Sequence, residues 1–140
     1  MLVNFMIFQR ILPSKLSSKQ KEAFHFQKIS AVLADYGFQT IRLSDDWCGA
    51  DFIAQHLNGS FLKVQLKGRL TVNKKYEGKD LWICFPYQEA WYIYPHDEIL
   101  DILLNKKYNS IVNTYQKLGI YHFPSLSNEI INILNRFKID

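Results

Sequence analysis

Apolar and polar residues take turns between Gly49 and Arg69. The alternation is strict in the second half, where Leu62, Val64 and Leu66 face one way and Lys63, Gln65 and Lys67 the other. The stretch reads as two strands joined at Asn58-Gly59. A two-residue turn there pairs Leu57 with Ser60 and throws Asp51 onto the apolar face, where a lone carboxylate is costly to bury. A three-residue loop, Leu57-Asn58-Gly59 with Gly59 left-handed, instead pairs His56 with Ser60. It sets Asp51 opposite Gln65, flanked by Lys67. The pattern therefore predicts an odd-length loop or a bulge.

Other elements follow the same logic. Pro13 to Ser18 is a polar loop in which Ser17 or Ser18 caps a helix from Lys19 to Tyr36, stopped by Gly37. Its apolar stripe is Ala23, Phe26, Ile29, Val32, Leu33 and Tyr36, with Glu22 in the first turn at the border of the buried face. Phe38 to Leu43 alternates as a strand, followed by a loop from Ser44 to Cys48. Leu81 to Phe85 and Ala90 to Tyr94 are strands whose nearly continuous apolar content implies burial on both faces, joined by Pro86 to Glu89. Pro95 ends the second, and a helix runs from His96 to about Lys106. The chain closes with a helix from Ser127 to Phe137, lined by Ile130, Ile131, Ile133 and Leu134, while the segment before it has no clear period. Met1 to Phe8 is an apolar run without a basic flank or cleavage site, too short to span a bilayer, and reads as an edge strand or a packed helix. The class is α/β or α+β: a central mixed sheet flanked by helices, in a single domain over residues 1–140.

Composition narrows the chemistry. The 140 residues are 48% hydrophobic, enough for one core, and the net charge of +4 suits a polyanionic partner without requiring one. Cys48 and Cys84 lie in neither a CxxC nor a zinc spacing, so two reduced thiols in a cytoplasmic protein are expected. No histidine pair has ligand spacing, and there is no glycine-rich phosphate loop and no Ser/His/Asp arrangement.

One carboxylate, one amide and one lysine gathered on adjacent strands suit magnesium, which takes oxygen ligands, keeps several waters and is completed by a substrate phosphate. A lysine beside the ion orients the attacking water or neutralises charge developing on the phosphate. Gly49-Ala50-Asp51, thirteen residues, then Gln65-Leu66-Lys67 resembles the PD-(D/E)XK nuclease superfamily, in the variant with Gln at the Glu position. The resemblance covers residues 17 to 100 and implies a restriction-endonuclease-like core, with matching positions at Glu22, Asp51, Gln65 and Lys67. It implies that Asp51 binds Mg2+ or Mn2+ directly, Gln65 through its amide oxygen, and Glu22 directly or through water. The Leu66 carbonyl completes the shell and Lys67 orients or activates water. Two departures stand out: Ala50 replaces the proline, and Gln65 removes one negative charge from the metal site.

Each of these residues also has a plainer role. Glu22 answers a helix dipole as well as a metal. Asp45 and Asp46 more often solvate a turn than supply a ligand, and His25 on a helix flank is more often structural or exposed. After Lys67, the segment Gly68 to Asp80 carries Arg69, Lys74, Lys75 and Lys79 around Tyr76, a pattern for contacting nucleic-acid phosphates that also fits a solvated loop. The sequence thus points to a magnesium-dependent nuclease, an endonuclease acting on DNA. A homodimer would cut both strands. The competing readings are a nuclease-fold module that binds nucleic acid or protein without chemistry, and a structural subunit of an assembly.

Overall fold

The computed structural model describes residues 8–106 and 109–140. The apolar run at the N-terminus lies outside the described residues except for Phe8, which is fully exposed and outside any helix or strand.

A six-stranded sheet forms the centre, in the order β1 (Phe38–Trp47), β2 (Ala50–His56), β3 (Phe61–Leu66), β5 (Leu81–Tyr87), β6 (Ala90–Pro95) and β8 (Lys138–Ile139). It is mixed, because β3 pairs parallel with β5 while the other neighbours are antiparallel. A second, two-stranded sheet joins β4 (Thr71–Asn73) to β7 (Ile120–His122). The expected class, a central mixed sheet flanked by helices, is the one observed.

Helix α1 (Ser18–Asp35) covers one face. Ser17 caps it reciprocally with Gln20: the Gln20 N–H donates to Ser17 Oγ at 3.2 Å, and the Ser17 N–H donates to Gln20 Oε1 at 2.9 Å. Its buried Ile29 and Leu33 meet Phe52, Ala54, Val64 and Cys84. Burying each such aliphatic chain contributes about 1.5–3 kcal/mol. Tyr36, placed on the apolar stripe by its spacing, is instead the exposed C-cap residue, because the helix ends at Asp35.

The opposite face of β5 and β6 carries Leu81, Ile83, Phe85, Tyr92 and Tyr94. It is covered by α2 (His96–Asn105), α3 (Asn109–Leu118) and α4 (Asn128–Leu134) through Ile99, Leu103, Tyr115, Ile130 and Leu134. Both strands are buried on both sides, as their composition implied. Their turn is only Gln88-Glu89, both at positive φ, so Pro86 and Tyr87 belong to β5 rather than to a loop.

The β2–β3 register settles the choice of turn. Phe52 pairs with Val64 and Gln55 with Phe61, the His56 N–H donates to the Ser60 carbonyl at 2.8 Å, and Gly59 has φ +93°. The loop is Leu57-Asn58-Gly59, and one position beyond the Phe52–Val64 pair stand Asp51 and Gln65. On the other side of β2, Arg42 pairs with Phe52 and Trp47 with Ala50, leaving Leu43 to Asp46 opposite Asp51 alone. The expected loop from Ser44 to Cys48 is therefore a bulged continuation of β1 as far as Trp47. It closes through a tight turn at Cys48-Gly49, where both residues have positive φ.

The segment after Lys67 departs most from its sequence reading. It is not an open loop: Thr71 and Val72 are fully buried in β4 and Lys74 to Tyr76 form a 3-10 turn. Buried Tyr94 holds β4 in place, its hydroxyl donating to the Thr71 carbonyl at 2.7 Å and accepting the Thr71 N–H at 3.3 Å. Buried His96 accepts the Asn73 N–H on Nε2 at 3.0 Å and meets Asp97 Oδ1 through Nδ1 at 2.9 Å. Asp97 in turn takes the Gly78 N–H at 2.9 Å. Burial alone would raise the Asp97 pKa, yet its bonds from His96 and Gly78 together bring it below the usual value.

Candidate active site

At the end of the sheet where α1 begins, an open cavity of about 630 Å³ is lined by Glu22, Asp51, Gln65 and Lys67. The four residues come from three elements: the second turn of α1, the start of β2, and the end of β3 with the residue that follows it. The hairpin's alternation puts Asp51, Gln65 and Lys67 on the face away from Phe52, Val64 and α1. Glu22 reaches them because the first turns of α1 border the cavity from the other layer, together with Ser18, Lys21 and His25. Glu22 is the fifth helical residue and not in the first turn as its sequence position suggested. The helix dipole, which acts within the first turn, therefore does not account for it.

Asp51 is half-buried, and its Oδ2 accepts the Leu66 N–H at 2.8 Å. That bond orients the carboxylate. The amide and carbonyl of one strand residue emerge on the same edge, so the Leu66 carbonyl also faces this side of β3. Burial pushes the Asp51 carboxyl above its ordinary pKa. The Leu66 N–H and Lys67 act in the opposite direction, while Glu22 and Asp46 press it further up. Glu22 and Asp46 thus both add negative charge near Asp51, which a cation would offset.

Asp46 is the site residue that the sequence reading undervalued. The bulge in β1 turns it into the cavity wall, together with Arg42, Leu43 and Ser44. Arg42, Lys21 and Lys67 are the cations of the lining. His25 is half-buried against Trp91, ring centroids 5.8 Å apart, and burial followed by the charge of Lys21 lowers its pKa. It is a packing residue at the rim.

Arg69, Lys74 and Lys75 are exposed, as contacts to phosphate need, but none lines the cavity. Tyr76 is 2% exposed, so its ring offers no platform to a base. Aromatic bulk drew it into the core between Leu81 and α2. It has a different contact: the Lys67 Nζ lies 5.6 Å from its ring centroid and the Lys75 Nζ 5.1 Å.

The donors around Asp51 are oxygens, the chemistry of a hard cation. Among the described residues no three His, Cys, Asp or Glu side chains lie close enough together to hold a metal ion by themselves. A metal here would rest on one or two carboxylates, the Gln65 amide oxygen and water, a set that fits magnesium or manganese and not zinc.

No protein-family model matches the chain, and no curated protein matches it. A solved structure of a bacterial homing endonuclease is similar to it, with a TM-score of 0.47 and 16% identity over 86% of this chain and 94% of that one. No helix among the described residues is long and apolar enough to cross a membrane.

Proposed function

We propose that the chain is a metal-dependent nuclease, an endonuclease that hydrolyses DNA phosphodiester bonds with Mg2+ or Mn2+. The observation that carries this reading is the convergence of Asp51, Gln65, Lys67 and Glu22 on one open cavity, with Asp51 in register beside Gln65.

Asp51, whose carboxylate is oriented by the Leu66 N–H, would hold the metal, with Gln65 and Glu22 as further oxygen donors. The bound metal supplies Lewis-acid polarisation of the scissile phosphate and a more acidic water. Lys67 holds the attacking water in line with phosphorus and balances the charge that develops on the phosphoryl oxygens. Its contact with the Tyr76 ring limits where the ammonium swings. Lys21 and Arg42 attract and seat the phosphodiester, while Asp46, also in the cavity lining, would add negative charge near the ion. Exposed Arg69, Lys74 and Lys75 extend the positive surface for the rest of the polyanion.

One feature favours a second reading, a nuclease-fold module that binds nucleic acid or protein without cutting. Gln65 stands where a carboxylate would strengthen the metal site, and among the described residues no three-carboxylate cage replaces it. Calorimetric titration with Mn2+ separates the two. The nuclease reading expects saturable binding that Asp51→Asn removes; a DNA affinity indifferent to metal, with no heat from Mn2+, supports the binding module.

A further inference from the structure

His122 lies in the stretch whose sequence showed no period. Pairing of β7 with β4 carries it across to Thr71, and the Phe123 N–H donates to the Leu70 carbonyl at 2.9 Å to hold that crossing. The Thr71 hydroxyl donates to the Arg69 carbonyl at 3.1 Å and so spends its one proton; it accepts from His122 Nδ1 at 2.9 Å. This fixes the ring by its Nδ1–H. The Nε2 has no hydrogen-bond partner among the described residues, and the side chain is exposed.

We propose that His122, with Arg69 and Lys67, forms an anion subsite beside the cavity that grips a backbone phosphate next to the one seated at Asp51. The proposal rests on the nucleic-acid reading above and adds a residue from the C-terminal segment to it. A phosphate oxygen has no proton to give, so Nε2 grips it only as an imidazolium donor. In the free protein, burial first, then the charges of Arg69 and Lys67, lower the His122 pKa. A phosphate lodged among the three reverses the last two effects, so binding takes up a proton.

The test is fluorescence anisotropy with a short labelled DNA duplex, in chelator so that no cutting occurs, across a salt series at about pH 6 and about pH 8, on either side of the imidazole range. The wild type binds more tightly at the lower pH. His122→Ala loses that gain and flattens the salt dependence by about 0.9, the slope of one duplex phosphate contact. His122→Arg, with a permanent charge, keeps the slope at both pH values. If His122→Ala matches the wild type in slope and pH response, the subsite is wrong and the nuclease reading stands. If both variants weaken binding equally and lower the melting temperature together, the histidine is structural and the subsite is again wrong. If the wild type shows no salt-dependent affinity, both the subsite and the nucleic-acid reading fall.

Discussion

Asp51 Oδ2 accepts the backbone N–H of Leu66 at 2.8 Å, a side chain taking the place of the ladder bond that β2 no longer supplies at the end of β3. The bond gives the carboxylate a structural role beside the proposed chemical one, and the two separate by substitution. Asp51→Asn keeps an oxygen for Leu66 and should leave stability within about 1 kcal/mol of the wild type. Asp51→Ala leaves a part-buried N–H without a partner and should lose about 1–3 kcal/mol. Urea unfolding of the two variants measures the difference.

Lys67 projects from a polar face, so its removal should affect chemistry and not folding. Lys67→Ala should lower cleavage by ~10²–10³-fold, the usual effect of deleting one charge-stabilising group, with an unchanged melting temperature. A melted variant would show that the lysine supports the fold instead.

Tyr76→Ala removes the ring beneath Lys67 and opens a core cavity, so it should cost about 3–5 kcal/mol. Tyr76→Phe keeps the ring and should retain both stability and activity. Thermal melts alongside single-turnover rates distinguish the packing role of the ring from any role of the hydroxyl.

Gly49 and Gly59 have nearly the same backbone, φ +88° and +93°, in different surroundings. An added Cβ at Gly59 meets nothing within 4 Å, whereas at Gly49 it comes within 3.2 Å of Leu81 Cδ2 and 3.4 Å of Tyr76 Cδ1. Gly59→Ala should therefore lose about 1 kcal/mol from backbone strain alone. Gly49→Ala should lose more and should also disturb Lys67 through Tyr76. Equilibrium unfolding ranks the two.

Tyr94→Phe removes the hydroxyl that serves both the Thr71 carbonyl and the Thr71 N–H inside the core. It should cost about 1–3 kcal/mol. Its effect should be felt first where β4 carries Thr71 and positions His122. Hydrogen exchange at β4 and β7 amides should accelerate before that of β5.

The candidate site's geometry was legible where local pattern and physical cost agreed. Strict alternation from Leu62 to Lys67, a glycine able to go left-handed at 59, and the penalty on a buried Asp51 together select one register, and that register assembles three of the four residues. Ser17 and Gln20 likewise announce the start of α1. Asp46 was hidden because a bulge breaks the period-two signal, so Asp45-Asp46 reads as a turn. β4 and β7 were hidden because three-residue strands carry almost no period and their partners Thr71 and His122 stand 51 residues apart. Tyr76 was misread for a related reason: its lysine neighbours describe a surface, while its own ring turns inward between Gly49 and His96.

On the proposed reading, Asp51 anchors a metal-dependent centre for phosphodiester hydrolysis. Incubation of supercoiled plasmid with purified protein tests it most directly. Nicked or linear DNA is expected with Mg2+ or Mn2+, none after chelation, and none with Asp51→Asn despite its intact fold. Intact plasmid under every metal condition, or cleavage that survives both the chelator and the substitution, would contradict it.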